Sequence, residues 1–117
     1  MFAYEWAGRT VRTPLGNDLE VLQHHAAEAA RLLRLLGNER RLLVLCRLMA
    51  EGEMSVGALA EAAELSQPAL SQHLALLRGE SVVATRRNAK MVLYRLADPK
   101  AARLLVLLRD VYREPEG

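Results

Sequence analysis

The sequence predicts a mainly α-helical domain that carries one β-hairpin, in the order α-α-α-α-β-β-α. Three observations lead there. Hydrophobic residues make up 51% of the chain but aromatics only 4%, so the core must be built from Leu, Val and Ala. Leu and Ala are strong helix formers. Apolar residues recur at steps of three and four as far as Leu77, and that spacing places them on one helical face. The period then changes: the stretch from Ser81 to Leu96 is rich in β-branched and aromatic residues, as strands are.

The first sixteen positions lack a helical period, and Pro14 and Gly16 close them as a loop. Phe2, Tyr4 and Trp6 alternate like a short strand. Two readings stay open for residues 1–16: an arm that docks on a partner subunit, or a loosely ordered terminus. Asn17 caps a first helix over 17–36, with Glu20 three residues on as in a capping box. Leu19, Leu22, Ala26, Ala29, Leu33 and Leu36 form its stripe, and Gly37 ends it.

Asn38 caps the second helix. Its predicted inner face is Leu42, Leu45, Cys46 and Met49, and Gly52 terminates it. Ser55 caps a short third helix with Val56, Leu59 and Ala63 inward. A tight turn at Glu64-Leu65 leads to Ser66, which caps the fourth helix. Pro68 lies in its first turn, where a missing N–H costs nothing. Leu70, Leu74 and Leu77 are its buried stripe. Two strands follow, divided at Arg87-Asn88-Ala89-Lys90. Asp98 and Pro99 then open a last helix striped with Ala101, Leu104, Leu105, Leu108, Val111 and Tyr112. The domain is therefore expected over residues 17–113, behind the arm at 1–16 and ahead of a polar tail at 114–117.

A short helix, a tight turn, a capped second helix and an immediate hairpin make a winged helix-turn-helix. In that arrangement the N-terminal part of the second helix enters the DNA major groove. Projecting the fourth helix from its leucine stripe turns Pro68, Ala69, Gln72 and Ala75 outward, flanked by Ser71 and His73, with Ser66 and Gln67 at the start. Gln bonds adenine in bidentate fashion, Ser bonds bases or phosphates, and Ala touches a thymine methyl. No Asp or Glu lies on this face to repel phosphate. The hairpin supplies cations: Arg86, Arg87, Lys90 and Arg95 occur between Ser81 and Ala97 with no acidic residue. A basic wing lies along the phosphate backbone or places an arginine in the minor groove.

The bulk properties agree with a DNA partner without requiring one: the net charge is +2 among 117 residues. A single cysteine, Cys46, excludes an intrachain disulfide and suits a reducing compartment. No signal-peptide pattern and no run of roughly 18 apolar residues is present, so a cytoplasmic protein without a membrane partner is expected. There is no nucleophile–base pair, Gly-rich phosphate loop or carboxylate pair in an apolar setting, so an enzyme is not expected. The leucine stripes of the terminal helices exceed what one small domain needs to cover. This predicts a homodimer interface containing Leu22, Leu33, Leu104, Leu105, Leu108, Val111 and Tyr112.

Four segments of the chain resemble the ArsR/SmtB repressors. They are Leu36-Gly37-Asn38-Glu39-Arg40-Arg41-Leu42, Ser55-Val56-Gly57-Ala58-Leu59-Ala60, Leu65-Ser66-Gln67-Pro68-Ala69-Leu70-Ser71-Gln72-His73-Leu74 and Ala84-Thr85-Arg86-Arg87. The branch containing HlyU, BigR and NolR is the most similar. The resemblance runs through Tyr94-Arg95-Leu96 into the last helix. It implies a winged-helix homodimer joined through its first and last helices, which represses by binding double-stranded operator DNA until an inducer changes the dimer.

Metal-sensing members place paired cysteines near the third helix, or Asp and His ligands on the last. Here neither set is present, and no metal or other cofactor is expected. His24 has Glu20 and Glu28 one turn away, on what reads as a solvated face, and His25 and His73 lack a carboxylate at ligand spacing. Sulfur-responsive members pair a cysteine in the second helix with one near the end of the last. Cys46 matches the first, but Arg113 stands near the second position, so the dithiol switch is absent. Cys46 remains the one candidate redox thiol. Its place among Leu42, Leu45 and Met49 reads as a small buried hydrophobe of raised pKa. Relatives often carry Gly where Ser81 stands, and a positive φ at Ser81 would be unusual. Two other functions remain: a protein-interaction module of the same fold, and a constitutive DNA binder without inducer.

Overall fold

In a computed structural model the chain is described over residues 3–6, 8–12 and 19–113. It divides into two compact units, Met1–Arg34 and Leu35–Gly117. The expected Asn17 cap, the Pro14–Gly16 loop and the tail at 114–117 lie outside the described residues.

The first unit opens with a hairpin. Strands β1 (Ala3–Trp6) and β2 (Arg9–Arg12) pair antiparallel in the register Tyr4 to Val11 and Trp6 to Arg9. The second strand has no apolar alternation and escaped the sequence reading. Gly8, in the turn, has φ 78°, a conformation in which glycine alone carries no Cβ penalty. The single helix expected over 17–36 is instead two, α1 (Leu19–His24) and α2 (Ala26–Leu36), which crosses the division between the units. The break falls at His25, although His25 N–H still donates to Val21 O and Ala29 N–H to His25 O. His-His is a poor helix continuation, since both rings lose χ1 freedom.

The second unit holds the helix-turn-helix and the wing. Its first full helix, α3 (Glu39–Glu51), starts at Asn38, whose Oδ1 accepts from Arg41 N–H at 3.1 Å, and stops at Gly52. Arg41 Nε also donates to Leu35 O at 2.9 Å, satisfying a carbonyl that the end of α2 leaves open. Strand β3 (Glu53–Ser55) follows, then α4 (Val56–Ala63), capped by Ser55 Oγ. Helix α5 (Gln67–Gly79) is capped by Ser66 Oγ, which accepts from Ala69 N–H at 3.3 Å. Strands β4 (Val83–Asn88) and β5 (Met91–Leu96) form the hairpin, and α6 (Pro99–Tyr112) begins at Asp98, whose Oδ1 accepts from Lys100 N–H at 2.8 Å.

Strand β3 turns the hairpin into a three-stranded antiparallel sheet of order β3-β5-β4. Three residues after a glycine carry too little pattern to predict a strand. The core combines Val44, Leu45 and Leu48 of α3 with Leu59 and Ala63 of α4, Leu70, Leu74 and Leu77 of α5, Val82, Val83, and Ala101 and Leu105 of α6. The leucine stripe of α5 is the one predicted. The face of α3 is not: it is rotated toward Val44 and Leu48, and Cys46 lies at the surface. With Leu42, Leu43, Val44, Leu45, Cys46, Leu48 and Met49 all apolar, several faces satisfy a helical period, and only packing selects one.

The joint between α5 and the wing answers the question raised by Ser81. Ser81 N–H donates to Arg78 O at 3.0 Å and Val82 N–H to Leu77 O at 2.9 Å. These are the two bonds of a Schellman stop, and buried Val82 and Leu77 are its hydrophobic pair. Such a stop needs a left-handed residue at Ser81, and Ser81 has φ 62°. Glycine 79 is a helical residue and does not supply it. The turn after α4 repeats the device, with Glu64 at φ 56° and Leu65 N–H donating to Ala60 O at 3.0 Å.

A candidate DNA-binding surface on helix α5 and the wing

Helix α5 is about 20 Å long at 1.5 Å per residue, and it has two unlike faces. Leu70, Leu74 and Leu77 are buried. On the opposite side Ser66, Gln67, Pro68, Ser71 and Gln72 are exposed, with Ala69 and His73 half-buried at the edges. The buried leucines fix the roll of the helix, and the roll presents the short polar side chains to solvent. Ala75 and Leu76 extend this outer face; Leu76 is exposed although apolar, and the sequence reading passed over it. The first N–H groups of α5 point out at the same end, which adds a partial positive charge suited to phosphate.

The wing continues from α5 through the Ser81 stop. Its tip is the two-residue loop Ala89-Lys90, with Ala89 at φ 58°. Arg87 pairs with Val92 and Asn88 with Met91, so the strand runs two residues further toward the tip than the sequence suggested. Arg86, Arg87 and Lys90 are exposed. Arg87 and Lys90 have no ion-pair partner among the described residues. Arg86 differs: it forks onto Glu53 of β3, with Nε to Oε2 at 2.6 Å and Nη2 to Oε1 at 2.8 Å. Its hydrogen bond, helped by the charges of Arg86 and Arg95, holds the Glu53 carboxyl below the usual carboxylate range. No sequence pattern announces a pair separated by 33 positions.

Of the predicted interface residues, Leu22, Leu33, Leu108, Val111 and Tyr112 are exposed, and Leu104 is half-buried. Leu105 corrects the expectation. It is only 3% exposed, belongs to the chain's own core and is not available to a partner. Val106 and Leu107, both exposed, join the outer face of α6 instead. Cys46 is likewise corrected from buried to exposed, while the protein around it still desolvates the thiol enough to push its pKa up. His25, thought to lack a carboxylate, has Glu28 Oε2 at 3.4 Å from Nδ1. Among the described residues no three His, Cys, Asp or Glu side chains are grouped to hold a metal ion, and no helix is long and apolar enough to cross a membrane.

A helix-turn-helix presenting an acid-free polar face, followed by a basic wing, defines a winged-helix DNA-binding regulator of transcription. The comparisons with known proteins give the family. Residues 38–85 match the family of bacterial regulatory proteins called arsR. The biofilm growth-associated repressor of Agrobacterium fabrum is 42% identical over 111 residues, 89% of this chain and 94% of that protein. The transcriptional activator HlyU of Vibrio cholerae is 43% identical over 95 residues, 81% of this chain and 87% of that one. The crystal structure of the repressor BigR from Xylella fastidiosa superposes with a TM-score of 0.75 at 42% identity, covering 82% of this chain and 97% of that one. The chain belongs to the ArsR family, whose members here are regulators of transcription and not enzymes.

Proposed function

We propose that the protein is a homodimeric, sequence-specific repressor that acts on operator DNA in the bacterial cytoplasm, with residues 17–113 as its binding and dimerisation domain. The outer face of α5 carries this reading: exposed Gln67, Ser71 and Gln72 stand on a helix rolled by its buried leucines, without an acid to repel DNA. Ser66, Pro68, Ala69 and His73 complete the major-groove surface, and Arg87 and Lys90 meet the backbone. The exposed Leu107, Leu108 and Val111 of α6 and the exposed Leu22 and Leu33 favour dimerisation through the terminal helices. Two copies would set their α5 helices on half-sites roughly 34 Å apart.

The test is binding to DNA from the protein's own upstream region against random DNA, at several salt concentrations. Gln72→Ala should cost about 1–3 kcal/mol on the specific site and almost nothing on random DNA. Arg87→Ala should weaken both and flatten the salt dependence by about one unit. Equal behaviour of the two variants on both DNAs would refute the division of labour. Wild-type binding no tighter than to random DNA would favour an interaction module.

A further inference from the structure

We propose that Glu53 is an internal phosphate mimic that withholds Arg86 from DNA and so sets the affinity and salt sensitivity of the wing. The inference rests on the reading that the wing meets the DNA backbone. Its basis is the sheet register. Arg86 of β4 pairs with Leu93 of β5, and Glu53 of β3 pairs with Arg95 of the same strand. Leu93 and Arg95 are two residues apart and share a face, so Arg86 and Glu53 lie on that face too, on opposite edges of the sheet. Arg86 reaches across β5 to join them.

The contact is a two-bond fork, the geometry in which a guanidinium takes either a carboxylate or a phosphate. A guanidinium engaged this way cannot offer the same two N–H groups to DNA. Both side chains are substantially exposed, and exposed pairs add little to folding stability, so stability alone gives the pair small purpose. Its larger effect is on charge. The wing has Arg86, Arg87, Lys90 and Arg95, but Glu53 cancels one of these cations on the face it shares with Arg86 and Arg95. Arg87 and Lys90 are left as the cations nearest the tip.

The experiment measures the affinity of the full chain for random duplex DNA against salt concentration, for wild type, Glu53→Gln, Arg86→Ala, the double variant and Arg87→Ala. Glu53→Gln should bind more tightly and steepen the slope of log K against log salt by about 0.9, the increment for one more neutralised phosphate. Its advantage over wild type should therefore shrink about threefold between 50 and 200 mM salt. Arg86→Ala should leave the slope near wild type, and the double variant should lose the gain of Glu53→Gln. If Glu53→Gln leaves the slope unchanged or weakens binding while Arg87→Ala flattens the slope, the role given to Glu53 is wrong. If Arg87→Ala also leaves the slope unchanged, the wing does not meet the backbone and the reading beneath it fails as well.

Discussion

Replacing Ser81 by glycine should stabilise the protein. Ser81 stands at φ 62°, held there by the two hydrogen bonds that end α5 and by the burial of Val82 against the core. An L-residue in this region costs about 1–2 kcal/mol because its Cβ crowds the following carbonyl. Glycine removes that cost but gives the unfolded chain more freedom, worth about 0.5–1 kcal/mol in the opposite direction. The difference is a net gain of about 0.5–1 kcal/mol per chain. That corresponds to a rise in Tm of about 2–5 °C. Urea unfolding at fixed protein concentration is the assay, because the apparent stability of the proposed dimer would depend on concentration. DNA affinity should stay within about twofold, since the backbone already has the conformation glycine prefers. A loss of stability would refute the argument, and would mean that the Ser81 side chain contributes more than its backbone costs.

Further outcomes can be checked with the same protein. Gly79 is the last residue of α5 and a Cβ built on it meets nothing within 4 Å, so Gly79→Ala should add at most about 0.5–1 kcal/mol by urea unfolding. Val111→Glu, at an exposed position on α6, should shift the protein toward monomer in sedimentation without lowering its helical signal. Burial pushes the Cys46 thiol up, so it stays protonated at neutral pH. Its alkylation should be slower than that of an unfolded control and should rise only above the ordinary thiol range, as read by mass shift against pH. The Glu53 carboxyl lies below its usual range, so the pair with Arg86 is present at neutral pH and lost only as the pH falls through that lowered value. The effect of Glu53→Gln on DNA affinity should therefore be the same across about pH 6 to 8.

Where local rules act alone, the fold is legible in the sequence. Asn38, Ser55, Ser66 and Asp98 each cap the helix expected of them, because a short polar side chain beside a free N–H needs no distant partner. Leu70, Leu74 and Leu77 stand on a helix whose other residues, Leu76 apart, are polar or small, so one roll buries them. Helix α3 has apolar side chains around most of its circumference and lacks that contrast, which is why the pattern places Cys46 on the wrong side. Leu105 shows the same limit on α6: Leu104, Leu105, Val106, Leu107 and Leu108 are consecutive, and pattern alone cannot sort those facing the chain's own core from those left exposed. Backbone strain is less visible still. Serine at position 81 makes a left-handed stop unexpected, yet α5 ends at one, with the serine accepting the left-handed geometry.

The proposed DNA-facing surface divides along the same line. The outer face of α5 follows from helix geometry once the leucines are known, so Gln67, Ser71 and Gln72 could be placed from the sequence. The charge of the wing could not. Counting cations from Ser81 to Ala97 gives four, but a charge acts through its surroundings, and Glu53 enters from a strand that precedes α4 and α5. Strand β3 therefore does more than widen a hairpin. It ties the two edges of the sheet together through Arg86 and brings an acid beside the basic residues. On the proposed reading, base recognition and backbone attraction rest on separate parts of the fold: the leucine stripe sets the first, and the pairing of β3 with β5 limits the second. A substitution on β3 should alter how strongly the protein holds any DNA, while leaving its choice of sequence to α5.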